Sequence, residues 1–296
     1  MRGKIIKGIA GFYYVYSFEN GKTYTCHAVG KLRDMKMKPI VGDDCKIEVI
    51  DEDKEEGSLT AILPRKNELV RPAVSNVDRM MVIFAVTDPK PNFYLLDKFL
   101  FFIEHEGLKP IIVFNKNDLD DNEKNVIADI YRGFDAPIVF TSAKEHINID
   151  GLRLLLKGKT TAVAGPSGVG KSSLINALVG REIMETGVIS DKTKRGKHTT
   201  RHTEIFEFEV EGETSFVLDT PGFSSFYLPK LNEWEKPQDY YPEFTDYSDK
   251  CRFNCCTHDK EPDCKVKEAV EQGLISRERY DNYLKIVSEI KNSQRF

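Results

Sequence analysis

Residues 165–172 read GPSGVGKS and fit the pattern G-x-x-x-x-G-K-[ST]. A run of this kind, placed after a strand and opening a helix, holds phosphate groups. Backbone N–H groups of the loop and of the helix N-terminus form a cradle for anionic oxygens. Gly165, Gly168 and Gly170 let the backbone approach those oxygens closely. Pro166, Ser167 and Val169 complete the loop, and Ser173 follows it on the helix. Lys171 is expected to reach the β- and γ-phosphates as a catalytic cation, and the Ser172 hydroxyl to bind Mg²⁺.

Three other pieces select the nucleotide. DTPG (219–222) ends a strand, which places Asp219 to hold Mg²⁺ through water and the Gly222 N–H near the γ-phosphate as a catalytic donor. NKND (115–118) also ends a strand. Its Asp118 carboxylate can accept from the N1–H and the N2 amino group of guanine. Adenine lacks that donor pair and would leave the carboxylate unpaired. Asn115 can contact the other edge of the base, the Lys116 stem can pack across the ring, and Asn117 lies in the same loop. TSAK (141–144) brings Ser142, Ala143 and Lys144, with the Ala143 N–H set to donate to guanine O6. Together these predict GTP and GDP as ligands in preference to ATP.

The elements that must position these loops are legible in the apolar pattern. From about residue 77 strands and helices alternate. MMVIFAV, KPIIVFN, PIVF and KTTAVAG read as strands, and NFYLLDKFLFFIEHEG, EKNVIADIYRGF, NIDGLRLLL and KSSLINALVG as helices. TEIFEFEVEGETSFVLD reads as a hairpin. The alternation predicts an α/β domain with a largely parallel sheet. Residues 1–65 instead carry about five short strand-like runs separated by ENG, VGDD and DEDKEEG, which predicts a small closed barrel of OB type. LPRKNELVRPAV, with Pro64 and Pro72, reads as an irregular linker. The chain ends in an amphipathic helix: Tyr280, Tyr283, Leu284, Val287 and Ile290 share a face, and Ser276 is a candidate N-cap.

With 40% apolar and 30% charged residues and a net charge of −4, the chain is neither a membrane span nor a polycation. Nucleic-acid contact would therefore need local clusters such as KLRDMKMK (31–38) or KTKRGKH (192–198). The start lacks an apolar core with a small-residue cleavage site, so a cytoplasmic protein is expected. Nothing in the sequence asks for more than a monomer. Four of the six cysteines fall within 251–264, and CRFNCCTHDKEPDC offers thiols and one imidazole at metal-ligand spacing. Cys251, His258 and Cys264 with Cys255 or Cys256 would close a tetrahedral structural Zn²⁺ site.

The motif order is base reader, second base loop, phosphate loop, then DTPG, which is a circular permutation of the Ras-like arrangement. With an N-terminal barrel and a C-terminal cysteine cluster, the whole chain resembles the family of bacterial ribosome small subunit-dependent GTPase A. The resemblance implies a multidomain α/β protein. Its parts are an OB-fold domain over 1–66, a circularly permuted P-loop GTPase domain over 67–229 and a zinc-binding helical domain over 230–296. It implies Cys256, not Cys255, as the fourth Zn²⁺ ligand, and it places switch I at RGKHTTRH (195–202). There a threonine would join Mg²⁺ and the γ-phosphate; Thr200 is favoured, with Thr199 as the alternative. It further implies GTP hydrolysis stimulated by the small (30S) ribosomal subunit, a role in late subunit maturation, and rRNA contact through the barrel and the zinc domain. Other readings of the same residues are a GTP switch acting on another RNA or protein, and an RNA-binding module with incidental hydrolysis. Phe223 follows DTPG where Ras-like enzymes carry a water-orienting Gln, so intrinsic hydrolysis is expected to be slow. Lys230 stands where some members have a histidine, and His198 and His202 remain candidates for that task. Because DTPG now runs straight into the C-terminal region, the permutation predicts that γ-phosphate sensing is coupled to movement of residues 231–296.

Overall fold

A computed structural model of the chain describes residues 1–30, 38–70, 72–119, 123–184, 203–219 and 228–293. It contains two compact units, each discontinuous in sequence. One comprises residues 1–80, 149–164 and 171–224; the other comprises 81–148, 165–170 and 225–296.

In the first unit, β1 (Arg2–Ile9), β2 (Phe12–Ser17), β3 (Thr23–Ala28), β4 (Asp44–Asp51) and β5 (Glu56–Ile62) form a closed barrel in the order β1-β2-β3-β5-β4. The β3–β5 pairing is parallel, and β4 closes back on β1 antiparallel at Gly3↔Cys45. The two-residue period of each strand sends Ile5, Val15, Tyr24, Cys26, Cys45, Ile47 and Leu59 inward. Each large apolar side chain so buried contributes about 1.5–3 kcal/mol. This is the OB-type barrel that the strand spacing predicts.

The stretch read as an irregular linker is ordered. Glu68–Val70 (β6) and Ala73–Ser75 (β7) form a hairpin with Val70↔Ala73 at its tip. The prolines do not prevent it, because Pro64 precedes the first strand and Pro72 sits in the turn, where no ladder N–H is needed. Fully buried Asp43 fixes the hairpin base to the barrel. It accepts from Arg65 Nε and Nη2 at 2.6 and 2.8 Å, from Ser75 Oγ at 2.7 Å and from the Ile40 N–H at 2.9 Å.

The same unit carries β11 (Thr160–Ala164), parallel to β13 (Glu213–Asp219), with β12 (Glu204–Val210) antiparallel to β13. β12 meets barrel strand β1 at Lys7↔Glu204, where an ion pair of 2.8 Å reinforces the register.

The second unit takes β8 (Arg79–Ala85) from Met81 onward, and there β8, β9 (Lys109–Asn115) and β10 (Ile138–Phe140) lie side by side, with β9 and β10 parallel. β8 and β9 are almost entirely buried, as strands covered on both faces must be. Helix α1 (Phe93–His105) is capped by the Asn92 side chain, which accepts from the Leu95 N–H at 3.0 Å. Helix α2 (Glu123–Ile130) follows the base-reading loop. Helices α3 (Ile149–Leu156) and α4 (Lys171–Val179) belong to the first unit.

The C-terminal part has 3₁₀ turns at Pro237–Tyr240 and Pro242–Phe244, then α5 (Thr245–Ser248), α6 (Lys265–Glu271) and α7 (Arg277–Ser293). Phe101 of α1 joins Tyr241, Phe244, Val270, Tyr283 and Ile290 in one core cluster. Residues 228–293 therefore share a hydrophobic core with α1. Among the described residues no helix is long and apolar enough to cross a membrane.

Candidate functional site: nucleotide loops and a Cys/His metal centre

The base-reading loop begins where β9 ends. Asn115 is 2% exposed and uses both ends of its amide within the protein. Its Nδ2 donates to the Val169 carbonyl in the phosphate loop at 3.0 Å. Its Oδ1 accepts from the Ala143 N–H at 3.0 Å and from Thr141 Oγ1 at 3.3 Å. The sequence offers Asn115 to the edge of the base and the Ala143 N–H to guanine O6; in the structure the same groups tie three loops together. Lys116 adopts φ +62° and donates from Nζ to the Asp88 carbonyl at 2.6 Å. Asn117 is nearly buried, its N–H on the Thr141 carbonyl at 2.9 Å and its Oδ1 without a partner in the described protein. Asp118 is exposed, as a carboxylate that receives a ligand must be. In the second loop Ser142 is buried and its Oγ accepts from the Glu145 N–H at 3.1 Å. Lys144 stays at the surface. Its ion pair with Glu145 (3.0 Å) and then the charge of Asp118 raise its pKa.

The phosphate loop shows why its glycines are glycines. Gly165 has φ +143°, and a Cβ there would stand 2.1 Å from the Ile83 carbonyl oxygen. Gly170 has φ +88°, and its Cβ would meet Asn115 Nδ2 at 2.5 Å. No L-side chain fits either place. Between them Pro166 is half-buried, Ser167 and Gly168 are exposed, and Val169 is buried. Lys171, Ser172 and Ser173 form the first turn of α4, half-buried. Asp219 is the last residue of β13, level with Val163 of β11 in the same unit. Thr199, Thr200, Gly222, Phe223, His198 and His202 lie outside the described residues, as do KTKRGKH and residues 31–37 of KLRDMKMK.

Cys251, Cys256, His258 and Cys264 bring one ligand atom each to within 4.8 Å of one another. Cys251 Sγ and Cys264 Sγ are 3.9 Å apart, and His258 Nδ1 lies 3.4 Å from Cys264 Sγ and 3.7 Å from Cys251 Sγ. Ideal tetrahedral coordination, with bonds of about 2.3 Å to sulfur and about 2.0 Å to nitrogen, puts ligands about 3.8 Å (S to S) and about 3.5 Å (S to N) apart. The donor set and its spacing thus fit one tetrahedral ion. Cys255 is exposed and outside the set. Burial lowers the His258 pKa, which keeps the imidazole neutral and able to ligate, and burial pushes the Cys256 thiol up to about 12. Deprotonating such thiols at neutral pH requires a cation beside them.

The shell around the centre is also visible. Ser248 Oγ lies 3.4 Å from His258 Nε2 and donates to the Phe244 carbonyl at 2.9 Å, leaving Nδ1 as the nitrogen that faces the sulfurs. Tyr280 and Tyr283 donate to the carbonyls of His258 (2.6 Å) and Thr257 (2.8 Å). No sequence pattern singles out Ser248. The two tyrosines were visible only as members of an apolar stripe.

Comparison with known proteins fits this arrangement. The RsgA GTPase family model matches residues 62–229, and the RsgA N-terminal domain model matches residues 2–58. A protein of Agathobacter rectalis named small ribosomal subunit biogenesis GTPase RsgA is 50% identical over 306 residues, covering 100% of both chains. A protein of the same name from Alkaliphilus metalliredigens is 45% identical, covering 100% of this chain and 99% of its own. The crystal structure of YjeQ from Thermotoga maritima is similar, with a TM-score of 0.78, 34% identity and 98% coverage of each chain. YloQ, described as a circularly permuted GTPase, gives the same score and identity over 99% of this chain and 95% of its own. A family model matching more than half the chain, full-length relatives and a shared permuted fold lead to one conclusion: the chain belongs to the RsgA GTPase family.

Proposed function

We propose that this protein hydrolyses GTP to GDP and phosphate and acts in the biogenesis of the small ribosomal subunit. The observation that carries the nucleotide half is the Asn115 amide, which joins NKND, TSAK and the phosphate loop. Relatives named for small-subunit biogenesis, matched over their full length, support the ribosomal half. In this reading Asp118 receives guanine N1–H and N2, the Lys116 stem packs across the ring, and loop 165–173 holds the phosphates. Lys171 neutralises charge that develops on the transferred phosphoryl group, and the Gly222 N–H serves the γ-phosphate. Mg²⁺ would be held by Ser172, by Thr200 and, through water, by Asp219. It would supply further charge neutralisation at the phosphates.

The functional divisions are a barrel over 1–66, a permuted GTPase domain over 67–229 and a zinc-binding domain over 230–296. The barrel and the zinc domain contact rRNA. One structural Zn²⁺ sits on Cys251, Cys256, His258 and Cys264, and with four protein ligands it has no open position for chemistry. The protein works as a cytoplasmic monomer. With Phe223 after DTPG it turns over slowly until the subunit supplies or orders a polar group.

Co-sedimentation with purified small subunits tests the reading. Retention with a non-hydrolysable GTP analogue and release with GDP are expected. Equal retention under both conditions would support an RNA-binding module with incidental hydrolysis. No retention, with binding to another RNA or protein instead, would support a switch of different target.

A further inference from the structure

We propose that helix α7 couples the metal centre to the guanine-reading segment, so that metal binding and guanine-nucleotide binding strengthen one another. The inference rests on the nucleotide reading above, and everything it uses lies within one compact unit.

Helix α7 presents two polar stripes to two different partners. Tyr280 and Tyr283 hold the backbone of the metal loop at His258 and Thr257. From the same two turns Arg279 and Asn282 reach α1. Arg279 Nη1 donates to Asp97 Oδ1 at 2.6 Å, and Asn282 Nδ2 to Asp97 Oδ2 at 2.8 Å. Further along, Glu289 accepts from Lys98 (2.6 Å) and Tyr94 (2.5 Å), also on α1. One rigid helix therefore grips the metal loop with one stripe and α1 with the other.

Asp97 is the junction. It is fully buried, and Arg279 is 2% exposed. The guanidinium also pairs with Glu243 at 2.6 Å and lies 4.9 and 4.7 Å from the rings of Phe134 and Tyr241. The third partner of Asp97 is Tyr131, whose hydroxyl donates at 2.9 Å. Tyr131 directly follows α2, the helix that leaves the NKND loop. On its other side α1 packs Phe99 against Phe84 of β8, and just past β8 the Val86 N–H donates to the Asn115 carbonyl at 2.9 Å. The helix that holds the metal loop is thus joined to the base reader by two short routes.

A buried charge pair does not stretch gradually, since displacing either partner leaves a charge unpaired in the interior. The junction therefore has one good arrangement. The metal loop biases α7 towards that arrangement through Tyr280 and Tyr283. By linkage, a nucleotide that orders the base loop must return the same free energy to the metal site. A movement of residues 228–293 that kept these bonds would carry α1 with it, which narrows the movement the permutation suggests.

The test uses the full-length protein. Affinity for a fluorescent GDP is measured after Zn²⁺ loading and after chelation, with circular dichroism reporting the folded state. Zn²⁺ affinity is measured by chelator competition with and without saturating GDP. Chelation is expected to weaken GDP binding about 5–10-fold, and GDP to tighten Zn²⁺ by the same factor. In the Tyr280→Phe, Tyr283→Phe double variant, which retains the ligands and the rings, Zn²⁺ still binds but the factor falls towards one. GDP-independent Zn²⁺ affinity in the folded wild type overturns the inference, even if the stripped protein unfolds. An undiminished factor in the double variant overturns the route through α7. Failure of the Zn²⁺-loaded protein to bind GDP at all would instead sink the nucleotide reading, and the inference with it.

Discussion

Replacing Asn115 by alanine removes a strut, and its effect is readable without any ligand. The wild-type amide pairs the Val169 carbonyl (3.0 Å), the Ala143 N–H (3.0 Å) and Thr141 Oγ1 (3.3 Å) in a site only 2% exposed. The variant leaves two backbone groups without those partners. A buried group deprived of its partner costs about 1–3 kcal/mol, so the pair together cost roughly 2–6 kcal/mol. Water entering the vacated volume would bring the cost to the lower end. For a chain of this size the thermal midpoint should fall by roughly 3–10 °C. The assay is thermal unfolding of the nucleotide-free protein, followed by titration with fluorescent GDP. Had Asn115 served only the base, affinity would fall while the nucleotide-free midpoint stayed put. An unchanged midpoint for Asn115→Ala would refute the strut argument, however large the loss of affinity.

Asp118→Asn should lower GDP affinity at least about 100-fold and move preference towards xanthine nucleotides, whose C2 carbonyl accepts where the guanine N2 amino group donates; equilibrium titration with GDP and XDP checks this. Ser248→Ala should weaken Zn²⁺ about 10–100-fold in chelator competition, by releasing the imidazole nitrogen that faces away from the sulfurs, and Ser248→Thr should restore it. Burial pulls the Glu289 carboxyl up, but hydrogen bonds from Lys98 and Tyr94 outweigh it and hold its pKa below the ordinary 4.5. A depressed acid contributes stability that is complete above that value and lost as pH falls below it. Glu289→Gln should therefore flatten the acid limb of the unfolding midpoint below about pH 4.5 and leave the rest of the profile's shape unchanged.

The parts of this molecule set by local rules could be read from its sequence. GPSGVGKS works only as a strand–loop–helix with glycines at crowded places, and the Gly165 and Gly170 contacts show that crowding directly. The barrel followed from short strand-like runs separated by ENG, VGDD and DEDKEEG, and the metal set from thiol and imidazole spacing that the fold brings within 4.8 Å. Pairings without a local pattern were not legible. Asp97 and Arg279 are 182 positions apart, and each read alone is an ordinary charged residue on a helix. The β6–β7 hairpin was hidden by prolines that fall beside its strands, outside its ladder. Helix α6 was hidden because it is only seven residues long and starts at Lys265, directly after the last ligand, Cys264. Asn115 shows a third limit: the motif identifies the residue, but only the fold shows that its amide braces the base reader against two other loops.

Whether this chain is a GTPase tuned to the small ribosomal subunit is decided by the rate of GTP hydrolysis by the purified, Zn²⁺-loaded protein. Such a GTPase turns over slowly alone, is accelerated at least about tenfold by purified small subunits and is not accelerated by large subunits. A turnover rate that small subunits leave unchanged, whether high or low, would contradict that function.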